Sequence, residues 1–199
     1  MMSTLIPAYR LPRDIIEHEI NLMLAHGIDV ESGKTLGVDF GLDDLEKRGF
    51  KAVFMATGAQ LSRKLDIKGS DAKGVLWGIP FLRSVNDGAK PDIGKDVIII
   101  GGGNSAVDAA RVALRQKGVE NVTIFYRRTR AEMPAYREEI EAALEEGVTL
   151  NTLVAPVEVL SENGRLTGVR FIANKLSEPD SSGRRRPVPQ RSPDTGVGR

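Results

Sequence analysis

One stretch, from Asp96 to Tyr126, constrains this chain more than any other. Val97-Ile98-Ile99-Ile100 is an unbroken apolar run, the pattern of a parallel strand buried on both faces. Three glycines break it. Residues 104–117 then carry Ala106, Ala109, Ala110, Ala113 and Leu114 at helical spacing until Gly118 ends the helix. Val122-Thr123-Ile124-Phe125-Tyr126 returns as a second strand. Strand, helix and strand within about 30 residues make a βαβ unit, whose crossover should be right-handed.

The turn inside this unit, Gly101-Gly102-Gly103-Asn104-Ser105-Ala106, fits GxGxxA, the dinucleotide fingerprint with alanine in last place. Gly101 permits a tight turn off the strand, Gly103 removes the side chain that would keep the backbone from a pyrophosphate, and Ala106 holds the helix close to the sheet. The helix N-terminus offers unpaired N–H groups and partial positive charge, to which Asn104 and Ser105 add side-chain donors. No Gly-Lys-Ser/Thr follows, which excludes a Walker-type phosphate loop.

At the end of the second strand a carboxylate would suit the ribose of NAD, and cations the 2′-phosphate of NADP. The strand ends Tyr126-Arg127-Arg128-Thr129-Arg130, with no acid before Glu132. Two charge-assisted bonds, discounted for solvent exposure, are worth about 3 kcal/mol, roughly a hundredfold, so NADP(H) is expected over NAD(H). The same arginines could serve merely to solvate a strand end; the upstream fingerprint favours the phosphate.

Composition narrows the chemistry. The chain has no cysteine, so structural disulfides, thiolate nucleophiles and cysteine-held zinc or iron–sulfur centres fall away, and any redox work needs an organic cofactor. There is no basic and apolar leader and no run near the ~20 apolar residues of a membrane helix, so a cytoplasmic location is expected. Of the net charge of +1, the end from Arg184 supplies five Arg against one Asp, leaving 23 basic and 26 acidic residues before it. With two valines and no aromatic residue, residues 177–199 read as a disordered basic tail, and neither nucleic acid nor a membrane is expected as a partner.

Elsewhere the pattern is coarser. A helix is expected over 12–25, strand-like pieces at 28–30 and 35–38, and a brief helix at 42–48. A buried strand is expected over 51–56, ending in Thr57-Gly58-Ala59. Residues 61–96 read as a connector with one helix near 79–86. A helix over 135–146 precedes strands at 148–153, 157–161 and 166–172, the last two joined by the turn Glu162-Asn163-Gly164-Arg165, so an antiparallel meander should follow the βαβ unit. His18 and His26 lack acid–base partners, Trp77 and Met133 read as packing residues, and no serine has an evident triad. No catalytic or metal-binding residue is expected.

Four motifs in order then become recognisable: Ile6-Pro7-Ala8-Tyr9-Arg10-Leu11-Pro12, Ala56-Thr57-Gly58-Ala59, Ile99 through Asp108, and Tyr126-Arg127-Arg128-Thr129-Arg130-Ala131-Glu132-Met133-Pro134. Together they resemble the small (beta) subunit of NADPH-dependent glutamate synthase and related flavoprotein reductases, including the flavin and NADPH part of dihydropyrimidine dehydrogenase and adrenodoxin reductase. The resemblance implies an α/β fold of the two-dinucleotide-binding flavoprotein reductase type. Hydride would pass from NADPH to FAD and electrons onward, the cofactors carrying the hard chemistry. It implies that Gly102 to Ser105 hold the pyrophosphate, that Arg127 and Arg128, with Arg130 beside them, meet the 2′-phosphate, and that Glu139 contacts the nucleotide. Thr57 and Gly58 would lie where the chain leaves the FAD domain.

On this resemblance residues 1–75 are a partial FAD-domain remnant and connector, and 76–176 an NADPH-binding domain with its meander. The family's own FAD fingerprint, its cysteine-rich iron–sulfur region and its Gly-Asp flavin motif have no counterpart in the sequence, so a central fragment is expected, one that binds NADPH and does not retain FAD. Partners implied are a large amidotransferase or synthase subunit, or an iron–sulfur electron carrier. Two other functions stay open: an electron-transfer subunit serving ferredoxin or pyrimidine reduction, and a non-enzymatic nucleotide-binding module.

Overall fold

The computed structural model describes residues 2–58, 61–62, 64–181, 183–190 and 197–198. Helix α1 (Arg13–Leu24) follows a turn in which Leu5 and Pro7 are buried, and the short α2 (Leu42–Lys47) follows at some distance. In α1 only Ile16 of the helically spaced apolar residues is buried; Ile15, Ile20 and Met23 face outward. Residues 28–30 and 35–38 form no strand beyond an isolated bridge between Leu36 and Phe40.

The buried strand expected at 51–56 is overturned. The segment forms no regular element and pairs with no strand among the described residues, and Phe54 is 93% exposed. An apolar run satisfies its backbone as a strand only beside a neighbour, and these residues supply none.

Helix α3 (Gly78–Asn86) leads into the βαβ unit: β1 (Asp96–Ile100), α4 (Asn104–Leu114) and β2 (Asn121–Tyr126). β1 and β2 pair in parallel, in register from Asp96 opposite Asn121 to Ile100 opposite Phe125. After a single 3-10 turn at Arg130–Glu132 comes α5 (Arg137–Glu145), then β3 (Thr149–Thr152), which pairs parallel to β2. This corrects the meander expected from 148: its first strand is instead the third strand of the parallel sheet, in the order β1-β2-β3. The intervening α5 supplies the long crossover that parallel pairing needs. The core joins Val107, Ala110 and Ala113 of α4 to Val122 and Ile124 of β2, Phe81 and Leu82 of α3, Ile140 and Ala143 of α5, and Val148.

At Leu153, a non-glycine residue with φ 59°, the chain breaks from the first sheet into a second. There β4 (Val154–Glu162) and β5 (Arg165–Pro179) pair antiparallel around Asn163 and Gly164, φ 50° and 75°, the two left-handed residues of a tight hairpin turn. The rings of Phe125 and Phe171 stack at 4.2 Å between centroids and join the two sheets. Where the sequence suggests a disordered tail from 177, β5 continues to Pro179 and pairs with β6 (Arg185–Pro189) and β7 (Val197–Gly198). Most of the remainder beyond Gln190 lies outside the described residues. No helix among them is long and apolar enough to cross a membrane.

Candidate functional site

The glycine turn is built by three different constraints. Gly101 has φ +145°, its N–H donates to the Phe125 carbonyl at 3.1 Å, and a Cβ on it would lie 3.1 Å from Cβ of Ala106. The first and last small residues of the fingerprint thus face each other, which lets α4 start hard against the strand. A Cβ on Gly102 would lie 2.5 Å from two carbons of the Tyr126 ring, while the Gly102 carbonyl accepts from the Ala135 N–H at 3.1 Å. Gly103, at the start of α4, is open: the nearest atom to a Cβ there is Cγ of Pro134 at 3.9 Å. The first N–H groups of α4 lack partners within the helix and carry its positive dipole end. Asn104 uses its Oδ1 to accept from the Tyr136 N–H at 3.0 Å, and Ser105 is exposed.

Tyr126 links this turn to the arginines. Its ring lies under Gly102 and its hydroxyl donates to the Glu132 carbonyl at 2.8 Å, closing the 3-10 turn that follows Arg127 and Arg128. Thr129 donates from its hydroxyl and its N–H to the Glu132 carboxylate, which is held below the ordinary carboxylate range chiefly by that hydroxyl. The arginine backbone is clamped from the junction between the sheets and from the second sheet. The Leu153 N–H donates to the Arg128 carbonyl at 3.0 Å, and Nδ2 of the buried Asn174 to the Arg127 carbonyl at 3.2 Å.

The side chains of this pair fit an anionic ligand. Nε of Arg128 is buried without a hydrogen-bond partner among the described residues. A buried donor left unsatisfied costs about 1–3 kcal/mol, more on a charged group, and a phosphate oxygen would relieve it. Arg127 is exposed. Arg130 is drawn to Glu141 at 3.3 Å on the surface.

Glu139 is placed differently. In the first turn of α5 its two oxygens meet Nε of Arg10 at 3.1 Å and Nη1 of Arg111 at 2.6 Å. These belong to a charged cluster in which Arg10 Nη1 bridges both Asp108 oxygens at 2.9 Å, and Arg111 and Arg115 converge on Glu146. The Tyr9 ring packs against both guanidinium groups, 4.4 Å from Arg111 and 4.5 Å from Arg115. Burial holds the Asp108 carboxyl above its ordinary range in spite of Arg10, whereas the two arginines push Glu146 down to about 2. Burial likewise raises the Tyr9 hydroxyl. Thr57 and Gly58, the latter with φ 67°, close the exposed segment from 51 and belong to neither sheet, and Ala59 lies outside the described residues.

The pyridine nucleotide-disulphide oxidoreductases match residues 2–178, nearly the whole chain. The chain belongs to this family. Among its relatives, the NADP(+)-dependent formate dehydrogenase subunit beta of Moorella thermoacetica is 44% identical over 95% of this chain and 27% of its own length. The glutamate synthase [NADPH] small chain of Escherichia coli is 34% identical over 91% of this chain and 40% of its own. FprA of Mycobacterium tuberculosis, solved in complex with NADPH, superposes with a TM-score of 0.80 at 16% identity, over 96% of this chain and 57% of that one. That likeness bears out the two-dinucleotide reductase fold. This pyridine nucleotide oxidoreductase chain therefore spans well under half the length of the two relatives named.

Sequence reasoning missed the residues that hold the site together: Tyr126, Leu153 and Asn174. Tyr126 had a signal, an aromatic residue ending the strand beside a glycine turn. Leu153 and Asn174 had none, since their bonds are made across two sheets.

Proposed function

We propose that this chain is the NADPH-binding segment of a flavin-dependent oxidoreductase, with residues 76–176 as the nucleotide domain. The observation that carries this reading is the pair Arg127 and Arg128 set beside the open glycine turn, with a buried Arg128 Nε awaiting an acceptor. The backbone of Gly102 and Gly103 and the start of α4 would hold the pyrophosphate, and Arg127 with Arg128 the 2′-phosphate. Arg130, already drawn to Glu141, adds long-range charge, and Glu139, the remaining candidate for a nucleotide contact, is held in place by Arg10 and Arg111.

When bound, NADPH supplies a hydride that FAD accepts in the parent protein. This chain's residues bind and orient the nucleotide. Its single glycine fingerprint is occupied with that task, so FAD is assigned to other parts of the parent. The relatives carry the names of different enzymes, formate dehydrogenase in one and glutamate synthase in another, which supports placing what distinguishes those activities outside this shared segment. Both relatives are named as subunits, which supports a larger complex for the parent, and a synthase subunit or an iron–sulfur carrier is the partner this reading assigns.

Titration of the chain with NADPH and with NADH tests the reading. NADPH should bind roughly a hundredfold more tightly, as two discounted charge-assisted bonds require; equal affinities would reject it. Saturable NADPH binding without dye reduction on addition of FAD is what the reading expects of this segment alone; dye reduction would show that the segment holds flavin as well.

A further inference from the structure

The parallel ladder between β2 and β3 ends at Tyr126 opposite Thr152, so the carbonyls of Arg127 and Arg128 lie beyond it. They are held instead where β5 leaves β4. The register of those two strands ends at Val154 opposite Ala173, and from Asn174 on β5 pairs with β6. At that point the Leu153 N–H donates to the Arg128 carbonyl at 3.0 Å, and the Leu153 carbonyl accepts from the Asn174 N–H at 2.7 Å. Nδ2 of Asn174 donates to the Arg127 carbonyl at 3.2 Å.

The two anchors differ in kind. Arg128 is held by a main-chain donor that any residue but proline at 153 would supply, and Arg127 by a side chain that no apolar residue could replace. Asn174 is 5% exposed, and a carbonyl can only accept, so its amide is fixed with the nitrogen toward Arg127. The Arg127 carbonyl belongs to the planar peptide unit that joins Arg127 to Arg128. With that plane held on one side and the Arg128 carbonyl on the other, the Arg128 backbone has little freedom to turn. The guanidinium it carries is the one whose Nε is buried with no hydrogen-bond partner among the described residues.

We propose that Asn174 is a positioning residue for nucleotide specificity: by fixing the Arg127–Arg128 peptide plane from the second sheet, it aims the Arg128 guanidinium at the adenosine 2′-phosphate. The inference rests on the reading above and adds an uncharged determinant from a different sheet. The bonds of a guanidinium fork are directional, so a small rotation of its backbone forfeits them while the pyrophosphate contacts of the glycine turn stay. The stacked rings of Phe125 and Phe171, 4.2 Å apart, hold β2 to β5 independently of the amide. Removing the amide therefore frees the peptide plane and leaves the sheets together.

Calorimetry with two probes, adenosine 2′,5′-bisphosphate and AMP, separates this inference from its premise. Wild type should bind the bisphosphate far more tightly than AMP. Asn174→Leu keeps a branched shape and removes the donor. This variant and the smaller Asn174→Ala should each weaken the bisphosphate roughly tenfold, about one charge-assisted bond, with AMP within about twofold of wild type. Leu153→Gly loses a side chain at the same junction but keeps the main-chain bonds, and should discriminate as wild type does. In an Arg128→Ala background Asn174→Leu should cost nothing further, because the residue it aims is gone. If wild type discriminates and the Asn174 variants bind the bisphosphate as tightly as before, weaken both probes equally, or add their full loss to that of Arg128→Ala, Asn174 has no such role and the Arg127–Arg128 reading stands. Equal loss of discrimination in Leu153→Gly would mean general loosening of the junction and would also overturn the inference. If wild type fails to discriminate, both fall together.

Discussion

The ring of Tyr126 fills the space a side chain on Gly102 would need, with two ring carbons 2.5 Å from where its Cβ would lie. The same residue's hydroxyl holds the turn that follows the arginines, so one side chain fixes the distance between the two halves of the site.

Gly102→Ala and Gly103→Ala should therefore differ. The first forces Tyr126 to move and should cost about 1–3 kcal/mol of stability, read as a lower urea midpoint, together with nucleotide binding. The second places a methyl group in open space and should fold nearly as well as wild type while losing affinity for NADPH and NADH alike. Unchanged binding in Gly103→Ala would show that this turn does not approach the pyrophosphate.

Arg10 and Asp108 tie the N-terminal segment to the helix that begins at the glycine turn. Asp108 is 6% exposed, and removing Arg10 strands its charge. Arg10→Ala should cost about 2–4 kcal/mol in urea unfolding, toward the lower end of the range for broken buried pairs. Arg10→Ala combined with Asp108→Asn should cost less than the sum of the single changes, because the pair is coupled. Strict additivity would deny the coupling.

Glu146 sets an acid limit. Its carboxyl lies at about 2 in the folded chain against 4.5 ordinarily, so the unfolded state takes up its proton first as pH falls. The stability it contributes is complete above about 4.5 and disappears as pH falls toward 2. Asp108, raised by burial, works in the opposite sense and gives ground as pH rises. Glu146→Gln should lower stability at pH 6 and flatten its fall between pH 5 and 2. A variant as acid-sensitive as wild type would contradict this assignment.

The chain purified alone should show no stoichiometric flavin absorbance, since its one glycine fingerprint is assigned to NADPH. A flavin spectrum at one equivalent per chain would overturn the division of cofactors.

How much of this was legible in the sequence follows the range of the interactions. The βαβ unit and the Asn163-Gly164 hairpin are local: apolar runs, helical spacing and turn residues specify them within a few residues. The strand at β3 was visible but its pairing was not, because periodicity does not reveal which edge a strand joins. Residues 51–56 misled for the same reason, having the pattern of a buried strand and no neighbour among the described residues to bury it. The nucleotide contact of Glu139 is what the family resemblance implies, whereas its ion pairs with Arg10 and Arg111 arise only in the tertiary fold. Strands β5 and β6 pair through a stretch whose composition reads as a tail, because that pairing depends on Asn174 and Lys175 meeting residues more than a dozen positions away.

The account stands most directly on Arg127 and Arg128. Dissociation constants for NADPH and NADH should be measured on wild type and on the double variant Arg127→Ala, Arg128→Ala. The double variant should lose NADPH affinity by roughly a hundredfold and NADH affinity by less than about threefold, erasing the preference. Equal losses for the two nucleotides, or an intact preference for NADPH, would contradict the assignment of these residues to the 2′-phosphate.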